Sequence, residues 1–147
     1  MRAPARRPST EFQDAMVALI RTLGLHQPDR TPCGQPVSVA EAHAVLELSR
    51  NPGLSQNGLA ARLRLEKSSV SRIVTALEKR GWVKRTRNAA DSRIVHVHLT
   101  DDGRNAAANL AASRQAKFDR IFAAIPAGER DAVLKSLDTL LQVIHET

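Results

Sequence analysis

The fold is decided by residues 54–100, which read LSQNGLAARLRLEKSSVSRIVTALEKRGWVKRTRNAADSRIVHVHLT. Apolar residues recur at helical spacing in residues 56–63 and again in 67–80, and only Arg64-Leu65-Glu66 separates the two runs. Gly81 is a natural stop for the second helix. Two amphipathic helices joined by a tight turn predict a helix-turn-helix.

Directly after Gly81 the apolar residues change to the period of two that is typical of strands. Residues 82–87 and 94–99 alternate in this way, and the polar segment 88–93 between them predicts a turn, so the whole predicts a β-hairpin. A hairpin placed after a helix-turn-helix makes residues 38–100 a predicted winged helix-turn-helix lobe.

Helices are also predicted before this lobe. Thr10 and Gln13 have the spacing of a capping box, so a first helix should begin near Ser9 or Thr10 and end at Gly24. Residues 1–8, rich in Pro and Arg, are predicted to form a disordered basic arm.

A second helix should open at Ser38, which has capping-box spacing to Glu41, and end at Asn51-Pro52-Gly53. Its predicted inner face is Ala42, Val45, Leu46 and Ser49.

Beyond the lobe, Thr100 is the predicted N-cap of a helix that runs to about residue 124, and a last helix follows Pro126 and Gly128. The predicted fold class is therefore mainly α with a small β-hairpin wing.

Composition excludes several classes of protein. The chain has 147 residues, which suits one domain with an appended oligomerisation element. Aromatic residues are only 3%, so the core must be aliphatic, and a single Cys excludes an intramolecular disulfide and multi-Cys metal sites. The apolar run 15–20 is too short for a membrane span or a signal peptide, which predicts a cytoplasmic location.

The positive charge is concentrated in one third of the chain. Residues 55–100 carry ten Lys or Arg against three acidic residues, a net of +7, which equals the charge of the whole chain. Such a local field attracts a polyanion, with nucleic acid as the first candidate and an anionic membrane surface as the second.

Two sets of residues are candidates for contacting DNA. An α-helix fits the major groove of B-DNA, and hydroxyl groups and Arg can bond phosphates and base edges there. The candidates on the second helix of the helix-turn-helix are Lys67, Ser68, Ser69, Ser71, Arg72 and Thr75. The candidates in the wing are Arg85, Arg87, Asp91 and Arg93, since Arg at a hairpin tip can enter the minor groove. A basic helix face alone is more often simply solvated, but the hairpin and the concentrated charge argue against that interpretation here.

The run SVSRIVTALEKRGWVKR, residues 69–85, resembles the MarR (multiple-antibiotic-resistance regulator) family of winged-helix transcription regulators, as do Asp91-Ser92-Arg93, Val97-His98-Leu99-Thr100 and Gly103. The resemblance implies a homodimeric transcription factor, most often a repressor, that binds a near-palindromic double-stranded operator. It also implies that residues 68–75 are the recognition helix, that Arg93 reaches the minor groove, and that Asp91 helps to hold the tip.

In such a protein, residues 9–37 and 101–147 would supply the dimerisation helices. The sequence supports this independently. The first and last helices carry apolar stripes that are remote in sequence from the lobe, and pairing of two chains would bury them. The candidate dimerisation residues are Phe12, Met16, Leu19, Leu137, Leu140, Leu141 and Ile144.

The resemblance further implies modulation by a small aromatic or anionic ligand or by thiol oxidation. Cys33 is the candidate redox sensor, although its loop position does not match the first-helix cysteine of peroxide-sensing relatives. His96 and His98 share one strand face, but no carboxylate or Cys stands at ligand spacing, so we interpret them as solvated and expect neither a metal nor a cofactor.

Two other function classes compete with DNA recognition. An enzyme would need an activated nucleophile or paired acids in a cleft, and no catalytic set of this kind is present in the sequence. A winged helix used as a protein–protein or RNA-binding module generally lacks a basic recognition face, which disfavours this alternative.

Overall fold

The computed structural model describes residues 6–147. The elements follow one another as α1 (Pro8–Leu23), α2 (Val39–Arg50), α3 (Gln56–Leu63), α4 (Lys67–Lys79), β1 (Val83–Arg87), β2 (Val95–Leu99), α5 (Asp101–Ala124), a short 3-10 helix (Ala127–Glu129) and α6 (Arg130–Glu146). This order confirms the predicted fold class, mainly helical with a β-hairpin. The chain divides into two compact units, the first ending at Ala111 and the second running from Ala112 to Thr147.

The core of the first unit is aliphatic, as the shortage of aromatic residues predicts. Helices α2, α3 and α4 each bury one apolar face, the hairpin adds Val83 and Val97, and the first turns of α5 add Ala107 and Leu110. The largest fully buried side chains are Leu59, Leu77, Val45, Val70, Val74 and Val97. This core holds the helix-turn-helix and the hairpin against each other.

Hydroxyl caps fix the starts of three helices. The Oγ atoms of Ser38 and Ser55 accept hydrogen bonds at 3.0 Å from the N–H groups of Glu41 and Gly58, which confirms both predicted helix starts. Thr100 Oγ1 likewise accepts from the N–H of Gly103 at 3.1 Å, at the start of α5. Each cap satisfies a backbone donor that the helix itself leaves unpaired.

Helix α1 begins earlier than predicted. Its first residue is Pro8, its N-cap is Arg7, and no side chain caps it, so the predicted role of Thr10 and Gln13 is wrong. Proline suits the first helical position because it has no N–H to satisfy. The helix therefore takes one residue from the predicted basic arm, of which residues 1–5 lie outside the described residues. Gly24 ends the helix in a left-handed conformation, as predicted.

Helix α2 buries a wider face than predicted. Ala42, Val45 and Leu46 are buried as predicted, whereas Ser49 is exposed and Ala44 and Leu48 are buried in addition. The reason is that α2 packs against α3, α4 and β2 at once, so its buried face is wider than a single stripe.

The hairpin is bound to the lobe along the second edge of β2. Strands β1 and β2 pair antiparallel, with Val83 opposite Leu99 and Arg87 opposite Val95. On the other side of β2, the N–H of Val97 donates to the carbonyl oxygen of Leu54 at 3.0 Å. Strand β2 is thus hydrogen-bonded along both of its edges.

The second unit consists of the later part of α5, the 3-10 helix and α6. At the connection between α5 and α6, the Arg130 guanidinium donates to the carbonyl oxygens of Ala123 and Ile125, both at 3.1 Å. It also lies over the ring of Phe122. None of the helices described over residues 6–147 is both long and apolar enough to cross a membrane.

Gly103 generates a prediction about stability. A Cβ atom at this position would overlap the carbonyl oxygen of Trp82, which is backbone and cannot swing away. We expect Gly103→Ala to lower the free energy of unfolding by about 1–3 kcal/mol or more, measured by chemical denaturation. Gly128→Ala is the control, since the space around Gly128 is open, and an equal loss in both variants would contradict the prediction.

Candidate nucleic-acid interface

Helix α4 presents a polar face away from the core. Val70, Val74 and Leu77 are completely buried on one side. Of the predicted contact residues, Lys67, Ser68, Arg72 and Thr75 are exposed, and Ser69 and Ser71 are half-buried. Among the described residues, neither Lys67 nor Arg72 is in an ion pair, so their charges face solvent without compensation.

The turn between α3 and α4 is made by Arg64. Its backbone is left-handed, with φ of 54°, and its N–H closes the end of α3 by bonding the Ala61 carbonyl. A left-handed residue reverses the chain within one position, although a side chain makes that conformation costly. This geometry explains why three residues suffice to connect the helices.

Arg85 binds the hairpin to the two helices. Its Nη2 donates to the Ser71 carbonyl at 2.6 Å and to Thr75 Oγ1 at 3.1 Å, its Nε donates to Gln56 Oε1 at 3.1 Å, and its Nη1 lies 2.9 Å from a carboxylate oxygen of Glu78. The guanidinium thus joins β1, α3 and α4. Because these partners occupy it, Arg85 differs from Arg87 and Arg93, the other predicted wing cations, which are exposed.

The wing tip is an ordered turn centred on Asp91. Its Oδ1 accepts from the backbone N–H and the Nε of Arg93, and its Oδ2 accepts from Nη2, all at 3.0 Å. Arg93 is nevertheless 89% exposed in its side chain, whereas Asp91 is only 34% exposed. The carboxylate therefore orients a guanidinium that remains accessible to a ligand.

The Asp91–Arg93 pair does not titrate near neutral pH. The side chain and backbone N–H of Arg93 hold the pKa of Asp91 below its ordinary value, and the carboxylate raises the pKa of Arg93. Since the folded-state pKa of Asp91 is lowered, the contribution of the pair is present above an aspartate pKa of about 3.9 and is lost only as the pH falls through the lowered value.

Arg87 adds a second exposed cation near the tip, where its Nη1 donates to the Ser92 carbonyl at 2.8 Å. The hairpin therefore carries two exposed guanidinium groups, Arg87 and Arg93, on a turn held by hydrogen bonds.

Sequence reasoning missed Asn88 and His96. Asn88 Oδ1 accepts from the N–H groups of Ala90 and Asp91, and an Asn at the start of a polar turn is the signal that could have predicted this. The prediction that His96 is solvated is wrong, because the residue is half-buried and bonded to Asn88 and to Gly53, and Gly53 is too remote in sequence to infer. His98 is exposed as predicted.

The predicted dimerisation residues are poorly covered. Phe12 and Leu19 on α1 are 50% and 46% exposed, and Met16 is half-buried. On α6, Leu141 and Ile144 are 65% and 58% exposed, Leu137 is exposed and Leu140 half-buried. Neither helix contains a single buried residue.

Cys33 lies in the loop between α1 and α2, half-buried, with its Sγ 3.0 Å from Thr31 Oγ1. Thr31 is buried, and its hydroxyl accepts from the N–H of Gln35 at 3.0 Å. The described residues contain no cluster of three or more His, Cys, Asp or Glu that could hold a metal ion.

A hollow of about 360 Å³ lies beside Trp82. Its wall combines the loop before α2 with one side of the first turns of α5, including Asn105 and Asn109, and the Arg80 guanidinium stacks on the indole at 5.2 Å. Trp82 is the only tryptophan of the chain, so the tryptophan fluorescence reports on the surroundings of this residue.

Comparison with known proteins agrees with this geometry. Residues 35–94 match the sequence model of the MarR family. The chain is 25% identical over 141 residues to an uncharacterized HTH-type transcriptional regulator of Mycobacterium bovis, with 96% of this chain and 95% of that protein aligned.

Two solved structures share the fold. FabT of Streptococcus pneumoniae, in complex with DNA, superposes with a TM-score of 0.71 at 23% identity over 93% of this chain and 95% of that one. BpsR of Bordetella bronchiseptica, whose DNA binding is regulated by 6-hydroxynicotinic acid, superposes with a TM-score of 0.70 at 17% identity over 95% of this chain and 96% of that one.

The Arg85 network generates a prediction that separates bonding geometry from charge. Lysine keeps the positive charge of Arg85, but its single ammonium group cannot bond all four partners of the guanidinium. We therefore expect Arg85→Lys to lower the free energy of unfolding by about 1–3 kcal/mol. Arg87→Lys, at a residue with one exposed carbonyl partner, is the matched control and should cost less than about 0.5 kcal/mol. Equal losses measured by chemical denaturation would show that the network does not stabilise the lobe.

Proposed function

We propose that this chain, a winged-helix transcription regulator of the MarR family, acts as a homodimeric repressor on a near-palindromic operator. Each lobe places α4 in a major groove and the wing tip over the adjacent minor groove. Occupancy of the operator would exclude the transcription machinery, and an effector would release or modulate the dimer.

One observation carries the DNA-binding proposal: the exposed cations of α4 and of the wing belong to one compact unit. Lys67 and Arg72 have no acidic partner among the described residues, and Arg93 projects from an ordered turn. The Arg85 network connects the two elements. Duplex DNA presents a major and a minor groove side by side, so a surface with two cationic elements at a set separation fits it.

The separate elements should make different kinds of contact. Recognition helices read bases mainly from their N-terminal residues, so Ser68, Ser69, Ser71 and Arg72 would read base edges. The Thr75 hydroxyl accepts from Arg85 and fits a phosphate contact better, whereas Ser71 bonds Arg85 only through its backbone carbonyl. Arg93 would contact the minor groove while Asp91 continues to hold its backbone.

The homodimer is proposed because of the exposed apolar side chains on α1 and α6. The exposed large apolar residues of these two helices are between 40% and 65% exposed in one chain, and they are covered when two chains pair. Two-fold symmetry then places the half-sites about 10 base pairs apart, or at multiples of that distance.

The alternative function is a protein–protein or RNA-binding module. It would leave Arg72 and Arg93 without a role in duplex binding. Binding to double-stranded DNA that is independent of salt and of both residues would favour that alternative.

We expect the two arginines to affect DNA binding differently. Arg93→Ala should weaken binding to most sequences and reduce the slope of log affinity against log salt by about one, because a phosphate- or groove-directed cation is lost. Arg72→Ala should cost about 1–3 kcal/mol and relax the preference at one base position.

The measurement is a salt titration on the intergenic DNA beside the chain's own gene and on single-base variants of the protected site. Lys135→Ala, which removes a cation from α6, is the control and should change neither value. Wild-type behaviour of both arginine variants would contradict the docking proposed here.

The dimer proposal predicts that charge on α6 separates the chains. Leu141→Glu with Ile144→Glu should give a monomer in sedimentation equilibrium while the circular dichroism stays helical, since both side chains are already exposed in one chain. Gln142→Glu with His145→Glu adds the same charge beside the apolar stripe and should leave the dimer intact. A double variant that remains dimeric would exclude α6 from the interface.

The effector proposal has two arms, a small aromatic or anionic ligand and oxidation of Cys33. We expect aromatic acids to change the Trp82 fluorescence and to remove footprint protection, because the hollow beside Trp82 offers an indole and amide side chains. Cys33→Ser distinguishes the arms: loss of protection by hydroperoxide only in the wild type would identify the thiol as the sensor. A Cys33→Ser protein that still responds to hydroperoxide would exclude Cys33.

A further inference from the structure

We propose that His96 is a positioning residue for DNA binding: as a neutral imidazole it holds the wing turn through Asn88, and its protonation releases that turn. The proposal rests on the function proposed above and adds a mode of regulation to it. The supporting observation is a hydrogen-bonded series that runs from Gly53 through His96 and Asn88 to the tip that carries Arg93.

The first step of the argument is the tautomer of His96. Its Nδ1 lies 3.0 Å from the carbonyl oxygen of Gly53, in the turn between α2 and α3. A carbonyl oxygen can only accept, so Nδ1 must carry the proton. In the neutral ring, Nε2 is then an acceptor without a proton.

The orientation of Asn88 leads independently to the same tautomer. Its Oδ1 lies 2.8 Å from the N–H of Ala90 and 3.1 Å from the N–H of Asp91, and two donors require an acceptor between them. The amide Nδ2 therefore faces His96 and donates to Nε2 at 3.2 Å. Both constraints agree on one assignment.

The series then continues to the predicted DNA contact. Asn88 fixes the N–H of Asp91, whose carboxylate holds the backbone and the guanidinium of Arg93. Each donor in this series meets an acceptor. The position of Arg93 consequently depends on a histidine in the neighbouring strand.

Protonation of His96 creates a conflict in this series. A proton on Nε2 would point at the Asn88 amide group, so that a donor meets a donor. Reversal of the amide would place its NH2 against the N–H groups of Ala90 and Asp91, and rotation of the imidazole would break the bond to Gly53. Either adjustment loosens the turn or its attachment.

Few charged or titratable groups surround His96. His98 lies on the same strand face with its ring centroid 6.4 Å from that of His96, and Lys84 lies opposite His98 in the register. Asp91 and Arg93 stay charged at neutral pH, as shown above. The Gly53–Ser55 segment and the cross-strand partner Thr86 contribute only uncharged groups. His98 is therefore the neighbouring group that needs a control variant.

The direction of the pH dependence distinguishes release of the wing turn from a general gain of positive charge near DNA. An added positive charge near DNA should strengthen binding to phosphates as the pH falls. Release of the wing turn should instead weaken binding at low pH, and it should reduce the salt slope toward that of Arg93→Ala.

The first experiment needs no DNA and no variant. In ¹⁵N-labelled wild-type protein, the ring nitrogens of His96 should show the Nδ1–H tautomer at pH 8. The protection factors of the Ala90 and Asp91 amide hydrogens, which are corrected for the intrinsic pH dependence of exchange, should fall several-fold once the ring is protonated. An Nε2–H tautomer, or protection factors that stay constant while the His96 ring becomes protonated, would overturn the proposal.

The second experiment measures affinity for the footprinted duplex from pH 8 to 6 at constant ionic strength. We expect several-fold weaker binding by the wild type at pH 6, the same loss in the His98→Gln control, and little pH dependence in His96→Gln. A full pH response in His96→Gln would overturn the proposal. Wild-type protein that binds no duplex even at pH 8 would instead contradict the proposed function, while the exchange experiment still decides the role of His96.

Discussion

The guanidinium of Arg85 is the interaction on which the proposed interface depends. The hairpin and α4 are adjacent in sequence, but a reading surface requires a constant distance between them. Bonds from one planar fork to Ser71, Thr75, Gln56 and Glu78 supply that constancy. A planar group with five donors in fixed directions restricts orientation more than an ammonium group can. Because Arg85 joins the hairpin to the helices, the cations proposed to contact DNA, such as Arg72 and Arg93, need not take part in that attachment.

The lobe thus separates two uses of positive charge. Arg80, Arg85 and Arg62 have acidic partners on neighbouring elements, namely Glu41, Glu78 and Glu47, and so link those elements through ion pairs. Lys67, Arg72 and Arg87 remain without such partners among the described residues, and Arg93 is oriented by Asp91 while staying exposed. A count of basic residues gives the strength of the field, whereas their pairing decides which of them a polyanion can contact.

Much of the architecture could be predicted because it is encoded locally. Ser38, Ser55, Thr100, Gly24 and Gly81 mark helix ends through contacts within a few residues, and the change of period marks the hairpin. The partners of Arg85 and His96 could not be predicted, because Gln56 and Gly53 lie about 30 and 40 residues away. The error at Ser49 has a similar cause: a helix in contact with three elements has no single inner stripe. The start of α1 was missed because the helix begins with a proline at its first position and has no side-chain cap.

The contact at Gly103 has a mechanical meaning. Between the first turn of α5 and the carbonyl of Trp82 there is no side chain at all, and Thr100 ties the same place to Gly81 through its hydroxyl. Packed side chains can change rotamer and absorb a small displacement, but two backbones in direct contact cannot. We therefore expect a tilt of the beginning of α5 to displace Trp82 and, with it, the start of β1 at Val83, two residues before Arg85.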